Sequence, residues 1–382
     1  MSPEPPRTSR DEDRSRPLAR VPAGMRLSAV WSEALRNLAT GTSRLVIAAA
    51  VLGSALAGLS AADGSAVVSL VDDAAGYRAA GSAVSTLSST GRVDGGACEA
   101  LVGLPDAAHA GAMRRAPADL VALTMPASPI PTYEVTPGFA ALLTGSMTDA
   151  GLLVSDAAAE ALGITAGDLL QTSDGDAPVD ATYTYPDDGR RSGLGYAVVI
   201  VTGSGTYDEC WLSQWPQSPD STGLLATVLT HQPDDPSGRD EAPVLSQLNG
   251  RLGAAMDAAS LFDLRPTRAL PWVALGVGAL LGVVLVALRR LELASARHSK
   301  VSPHAQLLQV LLEATVIGVT AAGVMAVPMT VVIARAPVEA ALTLGVIGAR
   351  TAVLGAAGLV VGAVAATALV RERHLFRYFS DR

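Results

Sequence analysis

Residues 289–314 read RRLELASARHSKVSPHAQLLQVLLEA. The stretch opens on Arg289 and Arg290, adds Glu292, Arg297 and Lys300, and then turns apolar. Lys300 is the only lysine in 382 residues. Charge-free runs flank it, Ala269–Leu288 before and Ala314–Ala334 after. Each is near the roughly 20 apolar residues that cross a bilayer. Short basic loops stay in the cytoplasm. The strip therefore reads as an inner connection between two membrane helices, and the rest of the chain can be laid out from it.

Working outward, Leu45–Ala62 and Thr351–Val370 are also free of charge. That gives four spans. Composition agrees: 49% of residues are hydrophobic and 17% charged, against about 25% charged in a soluble domain. Only 4% are aromatic, so small residues form the helix-packing faces. A cleaved signal peptide is the other reading of the first run, but 44 residues precede it, far more than an ordinary leader. The layout is an inner segment 1–44, spans 45–62 and 269–288, an inner strip 289–306, a span 307–334, an outer connection 335–350, a span 351–370 and a tail 371–382. Residues 340–349 read as an extension of the fourth helix, with Arg350 near the interface.

Charge orients this layout. Residues 1–44 hold eight arginines, and the tail holds Arg371, Arg373, Arg377 and Arg382. Both termini and the strip come out cytoplasmic in a plasma-membrane protein. Residues 63–268 then lie outside. They carry 10 arginines against 26 acidic residues, a net charge of −16, and the remainder carries +8.

Turn signals punctuate the outer region, among them GRVDGGA, TSDGDAP and PDDGRRSG. Between them stand strand-length apolar runs: ADLVALTM (118–125), GLLVS (151–155) and YAVVIVTG (196–203). Ser155 is placed to cap the helix DAAAEAL, with Gly163 ending it. SQLNGRLGAAMDAASLFDL (246–264) has apolar residues at helical spacing and leads toward the second span. Strands mixed with helices make an α+β domain. Its Cys98 and Cys210 are the only cysteines. Outside the cell a disulfide between them is permitted; two buried free thiols are the other reading.

No motif for catalysis emerges. The only lysine lies in HSKVS without a glycine loop, which excludes a P-loop nucleotide site. GSGTY (203–207) has glycine where a nucleophile elbow needs serine, and GLGYAV (193–198) lacks a third glycine. Asp187–Asp188 and Asp234–Asp235 sit in Pro/Gly turns as solvated charge. Trp211 and Trp215 read as half-buried packing, with a binding surface as the alternative. His109 and His231 have no ligand-like spacing, so no metal site is expected. Basic residues lack aromatic interleaving, which gives nucleic acid no support.

The whole layout resembles the permease of a MacB/FtsX-type ABC transporter. RLSAVWSEALRNLATGTSRL (26–45) is similar to the amphipathic helix that leads into that family's first span. GLLVSDAAAEALGITAGDLLQ (151–171) is similar to its strand–helix–LG-x-x-x-GD unit, at Leu162, Gly163, Gly167 and Asp168. The opening strip is similar to its inner connection at Arg289, Arg290, Glu292, Ala294, Arg297, Gln306, Leu312, Glu313 and Ala314. KVSP stands where the family has a G-A-S/T turn, and 172–245 has no match beyond YAVV. The resemblance implies an outer domain like the MacB periplasmic core, and a non-catalytic membrane subunit that binds no cofactor. ATP and Mg would sit on a separate ABC ATPase, contacted through Arg289, Arg290, Glu292, Arg297 and Lys300. A second permease copy or paralogue, membrane lipid and an outer substrate would be the other partners. The substrate would be a peptide, lipid, antibiotic or lipoprotein. An FtsX-like regulator of an extracellular cell-wall hydrolase and a membrane-anchored sensor without an ATPase are the alternatives.

Overall fold

A computed structural model describes Arg36 and residues 44–148, 151–203, 205–230, 242–299 and 301–370. The stretch 26–43 apart from Arg36, Lys300, His231, Asp234–Asp235 and the tail lie outside the described residues. The chain divides into a helical unit, residues 1–65 with 266–382, and a sheet unit, residues 66–265.

Among the described residues, four helices are long and apolar enough to cross a membrane. They are α1 (Leu45–Ala79), α7 (Leu270–Leu288, preceded by a 3-10 turn from Pro266), α9 (Pro303–Arg335) and α10 (Val338–Leu369). Leu52, Leu56, Ala274, Ile317, Ala321 and Leu359 are among the residues of the helical unit's core. Helices α7 and α10 approach closely because glycines face backbone. A Cβ on Gly358 would stand 2.0 Å from the Leu275 carbonyl oxygen, and one on Gly278 would stand 2.1 Å from that of Gly355. Small residues that let backbones touch are the usual device of apolar helix pairs, where lipid competes equally for every leucine.

Two boundaries differ from the sequence reading. Helix α1 does not stop near Ala62 but continues to Ala79, 35 residues in all; about 52 Å of helix results. Asp63–Gly64 follows Ala62, but Gly64 does not take the left-handed conformation of a helix cap and the helix runs on through it. The stretch 335–350 is mostly not a connection, and residues 340–349 extend the fourth helix as the sequence reading has it. Only Ala336 and Pro337 separate α9 from α10, and Arg350 lies exposed within α10. Ser302 caps α9 by accepting from Ala305 N, with Pro303 in its first turn.

The sheet unit holds nine strands in the order β5-β6-β4-β7-β3-β2-β8-β1-β9. These are β1 (Val84–Asp94), β2 (Ala107–Arg115), β3 (Thr132–Val135), β4 (Leu152–Ser155), β5 (Leu169–Thr172), β6 (Gly175–Tyr183), β7 (Val198–Val201), β8 (Thr206–Gln214) and β9 (Val244–Gln247). The β3–β7 and β4–β6 pairs are parallel and the rest antiparallel, so the sheet is mixed. Short helices accompany it: α2 (Gly95–Ala100), α3 (Pro137–Thr144), α4 (Asp156–Leu162), α5 (Pro219–Leu224) and α6 (Ala258–Leu264). Ser155 and Gly163 cap α4.

Two sequence expectations fail here. ADLVALTM forms no strand; only the isolated bridges Leu120–Ile130 and Ala122–Thr172 fall within it. SQLNGRLGAAMDAASLFDL is helical only from Ala258. Pairing with β1 takes Ser246 and Gln247 into β9. The Asn249 amide then donates to Ala80 O at 3.0 Å, and Gly253 turns at φ +98°. Tertiary pairing overrides the helical spacing. Trp211 is packing, 2% exposed with its ring 4.8 Å from Phe139. Trp215 rests 5.8 Å from Tyr77.

Cys98 in α2 and Cys210 in β8 are both buried and joined in a disulfide, Cα–Cα 5.8 Å across 112 residues. They sit in one apolar cluster with Leu87, Tyr207 and Leu212.

Candidate coupling site

Between α7 and α9 lies one more helix, α8 (Arg290–His298). Its sequence, RLELASARH, is polar on one side and apolar on the other. Leu293 and Ala294 are buried, while Glu292, Ser295 and His298 are exposed. Nine residues would not hold as an isolated helix in water, since a free helix needs about 12–15. Tertiary bonds must therefore supply what length does not.

Two polar knots supply them. At the start of α8, Arg289 donates from Nε to Glu292 Oε2 at 2.9 Å and from its terminal nitrogen to Glu313 Oε2 at 2.5 Å. The Glu313 side chain is only 5% exposed and also accepts from Gln309 Nε2. At the end of α8, Arg297 donates from Nε to Gln306 Oε1 at 2.8 Å. Its other nitrogens reach the carbonyls of Thr367, at 3.0 Å, and Val370. Those carbonyls lie at the C-terminal end of α10, where Thr367 O also accepts from Val370 N, and a guanidinium there complements the negative helix end. Gln306, 2% exposed, returns to α8 through Leu293 O at 2.9 Å.

The strip residues thus divide. Arg289 and Arg297 are engaged within the helical unit, the first with α9 and the second with α9 and α10. Arg290 is half-buried and Glu292 exposed. Gln306 and Glu313 complete the knots, although as site residues the sequence reading left them out. Their signal is a polar side chain at the start of an apolar run, which is costly unless paired. The outward face consists of Glu292, Ser295, His298 and Ser299, followed by Ser302, Pro303 and His304. It offers hydroxyls, imidazoles and one carboxylate at the surface.

Two cavities among the described residues of the sheet unit have polar linings. One, about 570 Å³, is bounded by Asp119, Glu134, Asp174 and Asp176 over Leu152 and Ile200. Arg115 pairs with Asp119, and Arg114 with Glu134. The other, about 190 Å³, lies among Tyr133, Tyr185, Arg191, Glu209 and Trp211. There Arg191 bonds Glu209 and stacks over Trp211. Burial pushes the Tyr185 hydroxyl up to about 12, which keeps it a proton donor, here to Arg191 O at 2.5 Å. In neither cavity does a serine or cysteine stand against a histidine, so the lining residues offer binding surfaces more than acyl-transfer chemistry.

No family model and no curated protein matches the chain. Among solved structures, it is similar to the crystal structure of the periplasmic region of MacB from Actinobacillus actinomycetemcomitans. Identity is 9%, over 45% of this chain and 91% of that one, with a TM-score of 0.33. A score that low establishes no shared family.

Proposed function

We propose that this chain is the membrane subunit of an ABC transporter of MacB/FtsX type. A separate ATPase subunit would dock on α8, and its closure would move the membrane helices and through them an outer sheet domain. One observation carries the reading. The α8 helix is tied to α9 and α10 by Arg289–Glu313 and by Arg297 with Gln306, while its polar face is open. A helix held that way moves with the bundle when pushed. The likeness of residues 289–314 to the family's inner connection supports the same role. The chain binds no nucleotide of its own; ATP and Mg belong to the partner. Two copies, or one copy and a paralogue, would pair in the plasma membrane with both termini inside. A peptide, lipid, antibiotic or lipoprotein would be handled outside, as export or extraction.

The test is purification of the full chain from mild detergent. An ATPase carrying a P-loop should come with it. The double variant Ser295→Arg/His298→Glu, confined to the open face, should lose that ATPase while remaining monodisperse. Full association of the double variant would remove α8 as the docking site. No ATPase with the wild type would remove the transporter reading. A cell-wall hydrolase in the same complex would turn the reading to the regulator.

A further inference from the structure

Helix α6 (Ala258–Leu264) buries none of its residues. Leu261 is 50% exposed and Leu264 is 77% exposed. At about 100° per residue, Leu264, Leu261, Ala258 and Phe262 fall on one side, and Ala259, Ser260 and Asp263 on the other. Both ends are closed. Asp257 accepts from Ser260 N at 3.0 Å. The Arg265 guanidinium lies 3.9 Å from the Phe262 ring centroid and donates to Phe262 O at 2.6 Å. The result is a finished amphipathic helix whose Leu261 and Leu264 are open, with Phe262 half-buried under Arg265.

Chain position says what covers it. Leu264 stands two residues before the apolar segment Pro266–Leu288. Helix α7 has 19 residues, so it is about 28 Å long, nearly the ~30 Å thickness of a hydrocarbon core. No length is left over, and its first turn must lie at a boundary of that core. Trp272, in that turn, is 59% exposed; tryptophan is enriched at such boundaries. Val273 and Leu280 along α7 are exposed as well. Chain position puts α6 within two residues of a segment apolar enough to cross a membrane, which favours a lipid surface over a second protein copy.

We propose that α6 is an interfacial lipid anchor. It lies flat among the outer-leaflet headgroups, with Leu261, Phe262 and Leu264 at the acyl boundary and Ser260 and Asp263 toward water. The anchor rests on the reading of α7 as a span and is independent of any ATPase.

The full chain is reconstituted in phosphatidylcholine–phosphatidylglycerol vesicles, with single cysteines at 261, 264, 259 or 263 carrying the fluorophore NBD. The native cysteines are joined in a disulfide and take no label. A fifth probe at Val283, in the middle of α7, serves as reference. Lipid bearing a doxyl group near the headgroup should quench positions 261 and 264 and blue-shift their emission. Aqueous iodide should quench 259 and 263. Equal iodide quenching at all four positions overturns the anchor. Shielding of 261 and 264 from both quenchers also overturns it, since protein would then cover the face. If the Val283 probe also escapes quenching by lipid that carries its doxyl group deep in the acyl chain, the span itself fails and the anchor with it. A lipid-quenched Val283 with solvent-exposed 261 and 264 removes the anchor alone.

Discussion

Two arginines end two helices in this chain. Arg297 donates to Thr367 O and Val370 O at the close of α10. Arg190 donates to Ala79 O at the close of α1, at 2.9 Å. Neither pairing can be read from the sequence. The acceptors are backbone carbonyls 70 and 111 residues away, and every residue has one. Basic residues in the strip were legible as a group; which of them turn inward was not. Arg297→Ala removes the donor to Gln306 Oε1 and to the Val370 carbonyl, at about 1–3 kcal/mol for each buried group, while Thr367 O keeps Val370 N. It should therefore lower the melting temperature of the detergent-solubilised chain well beyond Glu292→Ala, whose carboxylate is exposed. Equal losses would show that the knot contributes little. Arg190 has its own partner: its hydrogen bond holds the Asp188 carboxyl below the usual carboxylate range. A folded value below the unfolded one gives stability that is full above about pH 4 and is lost as pH falls through the folded value. Asp188→Asn should cost about 1 kcal/mol or less at pH 7. Thermal melts of wild type and variant should converge on acidification, and a gap that persists unchanged at pH 2 would exclude the linkage.

At the scale of elements, length and apolarity located every long helix, while close packing and tertiary pairing set the ends and partners. Helices α7 and α10 meet through Gly278 and Gly282 on one and Gly355, Gly358 and Gly362 on the other. In an Ala- and Gly-rich chain these glycines do not stand out, because their role depends on which helix lies opposite. Gly358→Leu places a side chain where only the Leu275 backbone fits, and rigid helices must separate to admit it. It should abolish a monodisperse detergent peak. Gly323→Leu, an exposed site with nothing within 4 Å of its Cβ, should leave that peak intact. If both variants run alike, the helix pair is not held as described. In the sheet unit, polar surroundings and an outer location made the cysteine pair plausible. Only the antiparallel register of β8, with β1 on one side and β2 on the other, carries Cys210 to α2. Closing a loop of 112 residues stabilises by about 5 kcal/mol on the chain-entropy model. Cys98→Ser/Cys210→Ser should accordingly make residues 66–265 protease-sensitive at temperatures the wild type resists. Resistance equal to the wild type would mean the bond adds no stability.

At the scale of the whole molecule, the charge distribution makes the most exposed claim. Residues 63–268 carry −16 and the remainder +8. Lysine and arginine next to short loops set orientation, whereas acidic residues contribute little. Orientation therefore rests on the eight arginines of 1–44, the strip and the tail, and the acidity of 63–268 only agrees with it. On the proposed four-span reading the chain returns to the side on which it began, so both termini and α8 would share a face and residues 63–268 would take the other. The chain has two cysteines, and both are bonded, so an introduced cysteine is the one reactive thiol. On intact cells, an impermeant maleimide should label Asp235→Cys and fail to label Tyr378→Cys until the membrane is opened. Labelling of Tyr378→Cys alone would invert the protein and put α8 out of reach of any cytosolic ATPase. Labelling of both would mean an even number of crossings between the two positions, and one of the three long helices α7, α9 and α10 would then have to lie outside the bilayer.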